Sequence, residues 1–456
     1  MSKVKSVLEG YGFTSLGREQ NIKRITELSD SHLYDLILAL FQVLDGGDYK
    51  NKSLFEFETG RTISGGAIPC SDFDCRKKQL KKTLDFAVLY ADKTSLKSPM
   101  DGHFNNLMEN SFIQLDELLF DIESLITMEP LIEKGIISFF SEYSCLCADC
   151  YQQNKIKENA IRELILNNEL KINELVKYGI QFELSYQKDH YYIRILKNLK
   201  YGFEHEMHIL IKDSTFLNNA FRRVELENVK NGRKYSLTKQ QRDFVFDNYI
   251  VPVYVTPILN DIFYSKLFFE GTSKTYLSNR SIDEEIINML STSARKISNI
   301  SDEQILDKVD YAFPYIEDSD YKKLISLRES ELASFKIFRD EFSKDIKEFD
   351  MTKESYEDFQ RDIIQPKINR INTSIEKNKK YISHQRLKNI GSNIVFPLIT
   401  FSVGKYYGLD TIANIGLSGA IPLSNHIGKI LEKPKSFEVK DEDYYFLWRV
   451  QESFSK

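Results

Sequence analysis

The sequence predicts a mixed α/β and α-helical protein. It has an N-terminal βαβ-containing part, a middle part of antiparallel β-strands with helices, and a C-terminal helical hairpin followed by an apolar, Gly-rich segment. Three observations carry this. Two short apolar runs, Phe86–Ala91 and Ile136–Phe140, flank a stretch of helical period. Three partly alternating stretches follow between Ile180 and Lys212. In the last third, apolar residues recur in steps of three and four. The implied division is 1–176, an α/β domain with two Cys clusters; 177–310, an α+β domain; and 311–456, a helical domain holding the apolar segment 389–431.

In chain order, residues 1–20 are polar and Gly-containing, and read as an irregular lead-in. Leu33, Leu36, Ile37, Leu40, Phe41 and Leu44 then put one apolar stripe on a helix that Gly46 and Gly47 end. Residues 48–75 are rich in Gly and Ser. Arg76–Thr83 is a basic helix, and Phe86–Ala91 (FAVLYA) reads as a buried strand closed by Asp92. Ser111–Thr127 has helical spacing, interrupted by Pro130, and Ile136–Phe140 reads as a second buried strand. Strand, helix and strand at this separation fit a right-handed βαβ unit. A charged helix spans 151–176.

The period changes after Gly179. IQFELSYQ, HYYIRIL and EHEMHILIK read as three strands of a half-buried sheet. Residues 214–228 and 238–268 return to helix, kinked by Pro252 and Pro257. Thr272–Ser281 reads as a polar loop, and 283–290 and 302–309 as short helices. Phe335, Phe338, Phe342, Ile346 and Phe349, then Ile364, Ile368, Ile371 and Ile375, define two amphipathic helices in a hairpin. The terminal DYYFLWRV holds the only Trp and reads as an apolar tail that docks on the fold.

The chain has 456 residues, 42% hydrophobic, with net charge −5. That suits a folded multi-domain protein and argues against a globally basic nucleic-acid binder. The opening MSKVKSVLEGYGF lacks the apolar core of a secretory signal, so the expected setting is cytoplasmic, with a peripheral membrane contact as the alternative. The five Cys then read as thiols or metal ligands rather than disulfides. They fall in two clusters, Cys70 and Cys75, then Cys145, Cys147 and Cys150. A structural zinc would take Cys70, Cys75, Cys147 and Cys150, with Cys145 spare, because zinc wants two close pairs of thiolates that converge. Ordinary buried thiols are the competing reading.

Acids gather near the expected strand ends. Asp92 closes the first strand, Asp101 and His103 lie just beyond, and Glu142 follows the second. Ligands of open α/β sheets sit beyond the carboxyl ends of the strands. Asp92, Glu142 and Asp101 are therefore candidate catalytic residues, able to hold Mg²⁺ for phosphodiester or nucleotide chemistry. The basic run Arg76, Lys77, Lys78, Lys81 and Lys82 would meet phosphate or form a solvated helix face. His205-Glu206-Met207-His208 has the wrong spacing for a zincin. No Walker A, dinucleotide GxGxxG, GxSxG or kinase signature is present.

Asn389–Leu431 is the least charged stretch, with Lys405, Asp410 and Lys429 its only charges. Each uncharged run within it falls short of the roughly 20 apolar residues a membrane helix needs. It reads as a buried helical hairpin, with a membrane contact or a partner surface as alternatives. Taken together, these features describe an interaction or regulatory protein, zinc-stabilised, of the kind found in bacterial stress or phage-defence systems, with a protein partner or a second copy. A membrane-acting effector exposing 389–431 and a Mg²⁺-dependent nuclease or nucleotide hydrolase are the alternatives.

Overall fold

Four parallel strands, in spatial order third-second-first-fourth, organise the computed structural model of the chain. The structure describes residues 2–13, 17–44, 55–66, 72–109, 112–141, 148–203, 206–211, 214–269, 275–280, 282–283, 285–287, 289–290, 309–314, 320–348, 360–377, 398–405 and 444–454. The four strands are β1 (Glu56–Thr59), β2 (Lys93–Lys97), β3 (Ile137–Phe140) and, arriving from the middle of the chain, β7 (Thr275–Ser278). Beyond β7 the sheet continues through β9 (Leu398–Lys405), antiparallel to it, and then β8 (Val309–Pro314), giving six strands among the described residues. A separate meander of β4 (Phe182–Gln187), β5 (His190–Ile195) and β6 (Met207–Leu210) is antiparallel, as the alternation predicts. Its first turn puts Lys188 and Asp189 at positive φ, the geometry of a tight hairpin.

The helices before the first crossover are α1 (Lys3–Gly10), α2 (Arg18–Glu27) and α3 (Asp30–Leu44). The first two occupy the region expected to be irregular, and they hold it by burying Val4, Leu8 and Ile25. α4 (Phe73–Tyr90) links β1 to β2; α5 (Met100–Met108) and α6 (Leu115–Glu133) link β2 to β3. Both crossovers step in the same direction along the sheet, so right-handedness places α4 and α6 on one face. Phe57, Leu96, Ile137, Phe139 and Leu277 project from that face into the same core as α4 and α6.

The second apolar core is built from α7 (Ala148–Gly179), the meander, α8 (Ser214–Ala220), α9 (Arg223–Lys230), α10 (Lys239–Val245), a π-helical stretch Phe246–Val255 and α11 (Thr256–Phe269). Pro252 sits inside the π-helical stretch. Helices α12 (Tyr321–Ser330), α13 (Leu332–Glu348), α14 (Gln365–Lys377) and α15 (Tyr445–Phe454) return to the first core. α15 is the expected docking tail. It buries Tyr444, Phe446, Leu447 and Val450, and the Tyr444 hydroxyl donates to Asp345 at 2.6 Å.

Several expectations are corrected. Phe86–Ala91 is not a strand: it is the end of α4, and every residue from Lys82 to Tyr90 is buried. A helix without an exposed face shows no period, so a short apolar run within it mimics a buried strand. The βαβ unit exists, but its first strand is Lys93–Lys97. Pro130 does not interrupt α6, which runs on to Glu133. Thr272–Ser281 contains β7 rather than only a loop, and Val309 begins β8. Within Asn389–Leu431, the residues 398–405 form β9 in place of a helix; 389–397 and 406–431 lie outside the described residues. No helix of the described residues is long and apolar enough to cross a membrane.

Candidate site at the carboxyl edge of the parallel sheet

The strand order reverses at β1. From there the chain moves outward to β2 and β3, then crosses back to pair β7 on the other side of β1. In open α/β sheets the carboxyl ends at such a reversal diverge and leave a notch, which is where ligands bind. The exit from β1 is Gly60-Arg61-Thr62-Ile63-Ser64-Gly65, one turn of 3₁₀ helix bounded by glycines. Gly60 has to be small: a Cβ there would lie 2.9 Å from the Tyr276 hydroxyl and 3.2 Å from Asp261 Oδ2. Gly65 has φ +96°, a conformation that disfavours other residues.

The sheet face away from α4 and α6 is polar. Register places Glu58, Ser95, Ser138 and Tyr276 side by side on it, with Glu56 and Lys97 two residues along their strands. Glu58 is 0% exposed and Lys97 9%. The Ser95 and Ser138 hydroxyls are 3.2 Å apart. Parallel strands covered on both sides are ordinarily apolar throughout. Charged side chains buried on this face are therefore a departure from what folding alone requires.

More polar groups line the carboxyl edge. Asp101, in the first turn of α5, is buried and accepts a 2.7 Å hydrogen bond from Ser141, the residue after β3. His103 Nε2 lies 2.8 Å from Asp121 Oδ2 on α6, and His103 Nδ1 is buried without a hydrogen-bond partner among the described residues. Burial pushes the Asp121 carboxyl above its ordinary value, against the pull of His103. Arg76 grips Glu117 with Nη1 at 2.9 and 2.7 Å, lies over the Phe120 ring, and donates Nε to the Gly65 carbonyl at 2.8 Å. The first turn of α4 is thereby tied to the β1 exit.

On the β7 side the notch is walled by a buried ion cluster. Arg280 is fully buried. Its Nε and Nη2 donate to Asp283 Oδ2 at 3.1 and 2.8 Å, and Nη2 also reaches Asp261 Oδ2 at 3.1 Å. The Tyr276 and Ser278 hydroxyls donate to the same Asp283 oxygen, at 3.0 and 2.7 Å. Asp283 Oδ1 is buried and makes no hydrogen bond among the described residues. Burial pushes the Asp283 carboxyl up, with Arg280 pulling it back.

The residues expected from sequence distribute unevenly. Asp101 stands at the carboxyl edge. Asp92 does not: the misread strand reverses its placement, and it lies at the amino end of β2. There Arg339 binds it at 2.5 Å and Arg328 approaches to 3.7 Å. Glu142 lies outside the described residues, so Asp101 is the one of the three acids that the structure places at this edge. Cys75 is exposed in the first turn of α4. Cys70, Cys145 and Cys147 lie outside the described residues, as does the side chain of Cys150 in α7. Among the described residues, no three His, Cys, Asp or Glu side chains gather as a metal site. The basic run is split: Arg76 and Lys82 are buried, while Lys77 and Lys78 are exposed. His205 lies outside the described residues, and His208 on β6 pairs across the meander with Arg194 of β5.

Glu58, Lys97, Ser141, Arg280 and Asp283 were not among the expected site residues. The available signal was the polar–apolar alternation of EFET and KTSLK, which is too short to separate from loop without knowing the pairing. Comparisons of the chain with protein-family models, with curated proteins and with solved structures returned no match.

Proposed function

We propose that the chain is a regulatory binding protein whose ligand, a small molecule bearing a phosphate or carboxylate, occupies the notch between β1 and β7. The reversal of strand order over a glycine-bounded turn, with charged side chains buried alongside, is the observation that carries this reading. The N-terminus of α4 does not supply the anion contact, because Asp72 caps it by accepting from Asp74 N and Cys75 N. The backbone of the 60–66 turn and Lys97 fill that role. Mg²⁺ would enter with the ligand, held by Asp101 and the ligand's own oxygens, since this ion takes few protein carboxylates.

α4 gives the site a route to the helical layer. Its 18 residues span roughly 27 Å at 1.5 Å per residue. The first turn is held to the β1 exit through Arg76. At the other end Arg328 donates to the Val88 carbonyl at 3.1 Å, and Arg339 holds Asp92 at the following residues. A shift of the 60–66 turn on ligand binding would move a rigid helix against α12 and α13. The test is a thermal-shift panel of ATP and GTP with Mg²⁺, NAD and inorganic phosphate. At least one should raise Tm saturably in wild type and far less in Lys97→Met. No saturable shift with any of them overturns the reading.

A partner-docking role is favoured by a separate observation. Leu166, Leu170 and Tyr178 on α7 are 59%, 82% and 83% exposed, a concentration of apolar surface that usually marks a contact. Sedimentation of the wild type and of Leu170→Glu tests self-association: one monomeric species in both removes the second-copy version.

A further inference from the structure

A cleft of about 600 Å³ lies between α4, α6 and the start of α12, on the far side of these helices from the sheet. Its size is in the range of small-molecule sites. Leu84 and Phe120 contribute to its apolar floor, while Lys77, Lys81 and Lys322 stand around it and Glu123 belongs to the lining. The other polar groups of the lining are spent locally. Asp320 caps α12 by accepting from Lys322 N and Lys323 N at 2.9 and 3.3 Å. Ser124 donates to the Phe120 carbonyl at 2.8 Å, and Thr127 to the Glu123 carbonyl at 2.9 Å. Tyr321 donates to the Lys81 carbonyl. What remains is specific. The Lys77 and Lys322 ammoniums form no ion pair among the described residues, and Glu123 Oε1 is buried with no hydrogen-bond partner there.

We infer that this cleft binds an aromatic organic anion that carries its own N–H or O–H donor. The three requirements come from separate features of the lining. The lysines supply attraction for a sulfonate, carboxylate or phosphate. The floor takes a flat apolar body. The buried Glu123 oxygen takes one donor, and leaving a buried acceptor unmade costs about 1–3 kcal/mol, so a ligand that satisfies it is selected over one that does not. An aliphatic fatty anion meets two of the three and binds more weakly. The site is separate from the β1–β7 notch and does not depend on it.

The probe is 1-anilinonaphthalene-8-sulfonate, which has a sulfonate, fused rings and one N–H, titrated calorimetrically into the full chain. The expected result is a single saturable site. Lys77→Glu combined with Lys322→Glu should weaken it at least tenfold, and both positions are on the surface, so folding is kept. Thr127→Trp, at an exposed position on the rim, should block it. Replacing the probe by naphthalene-1-sulfonate, which lacks the N–H, should weaken binding to wild type but make little difference in Glu123→Met, which has no acceptor at that position. No saturable binding in wild type overturns the inference. So does binding that survives both the double charge reversal and Thr127→Trp, since the probe would then be elsewhere.

Discussion

Arg280→Met tests the buried wall of the notch. Arg280 is fully buried, and its guanidinium is shared by Asp283 and Asp261, themselves 1% and 5% exposed. Methionine fills much of the volume but leaves two carboxylates in the interior without their counter-charge. Breaking a buried ion pair from one side costs about 3–5 kcal/mol. That is a fifth or more of the roughly 5–15 kcal/mol that holds a typical domain. The cost also depends on pH. Burial already raises the Asp283 carboxyl above its ordinary value, and Arg280 opposes that. Without Arg280 the folded-state pKa climbs further, while the unfolded value stays near the ordinary one. A group raised in the folded state binds its proton there. Stability is then kept at low pH and lost as pH rises through the folded pKa. The deficit of Arg280→Met should therefore be larger at pH 8 than at pH 5. Adding Asp283→Asn, which still accepts from Tyr276 and Ser278, should recover at least about 1 kcal/mol. Urea unfolding followed by far-ultraviolet circular dichroism gives all three numbers. A single variant within about 1 kcal/mol of wild type at pH 7, or a deficit that grows on acidification, refutes the reasoning.

Asp92→Asn should lower stability by about 1–2 kcal/mol, because Arg339 keeps a neutral partner; it should leave ligand binding unchanged, since Asp92 sits at the amino edge, and a lost thermal shift would contradict this. Burial works against the Glu225 anion, but hydrogen bonds from Arg222, Tyr235 and Gln241 override it and hold the carboxyl at about 2. Its contribution is present above the ordinary value of 4.5 and lost as pH falls towards 2. Glu225→Gln should accordingly flatten the acid limb of the stability–pH curve in that window, and an unchanged limb contradicts the assignment. Asp345→Ala removes the acceptor of the Tyr444 hydroxyl and the partner of Lys367 at 2.5 Å. It should cost about 2–3 kcal/mol and expose α15 to carboxypeptidase before global unfolding; equal protease resistance would show that apolar packing alone holds the tail.

The parts of the fold that were legible in sequence are those whose surroundings are asymmetric. β4–β6 alternate because one face meets the second core and the other meets solvent. α3 shows its stripe for the same reason. α4 hides its period because Lys82–Tyr90 has no solvent side. That one misreading moved Asp92 to the wrong end of the sheet. β1 and β2 are four and five residues of mixed polarity. β1 is identified as a strand by pairing with β2 and with β7, the latter more than 200 positions further on, and β2 by pairing with β1 and β3, partners that no local window contains. The same holds for the site. Asp101 was visible as an acid beyond a strand, but Arg280, in a polar Asn-Arg-Ser stretch, shows its importance only once the fold brings Asp261 against it. The apolar run at 398–405 is rich in β-branched and aromatic residues, and it pairs as β9 despite the glycines that suggested close helix packing.

Hydrogen exchange measured by mass spectrometry, with and without a ligand that raises Tm, tests the central claim most directly. Binding in the notch predicts slower exchange across residues 60–66, with a second protected stretch around 87–92 where α4 meets Arg328 and Arg339, and no change in the β4–β6 meander. Protection that leaves 60–66 untouched, or falls only on the meander, would contradict the account.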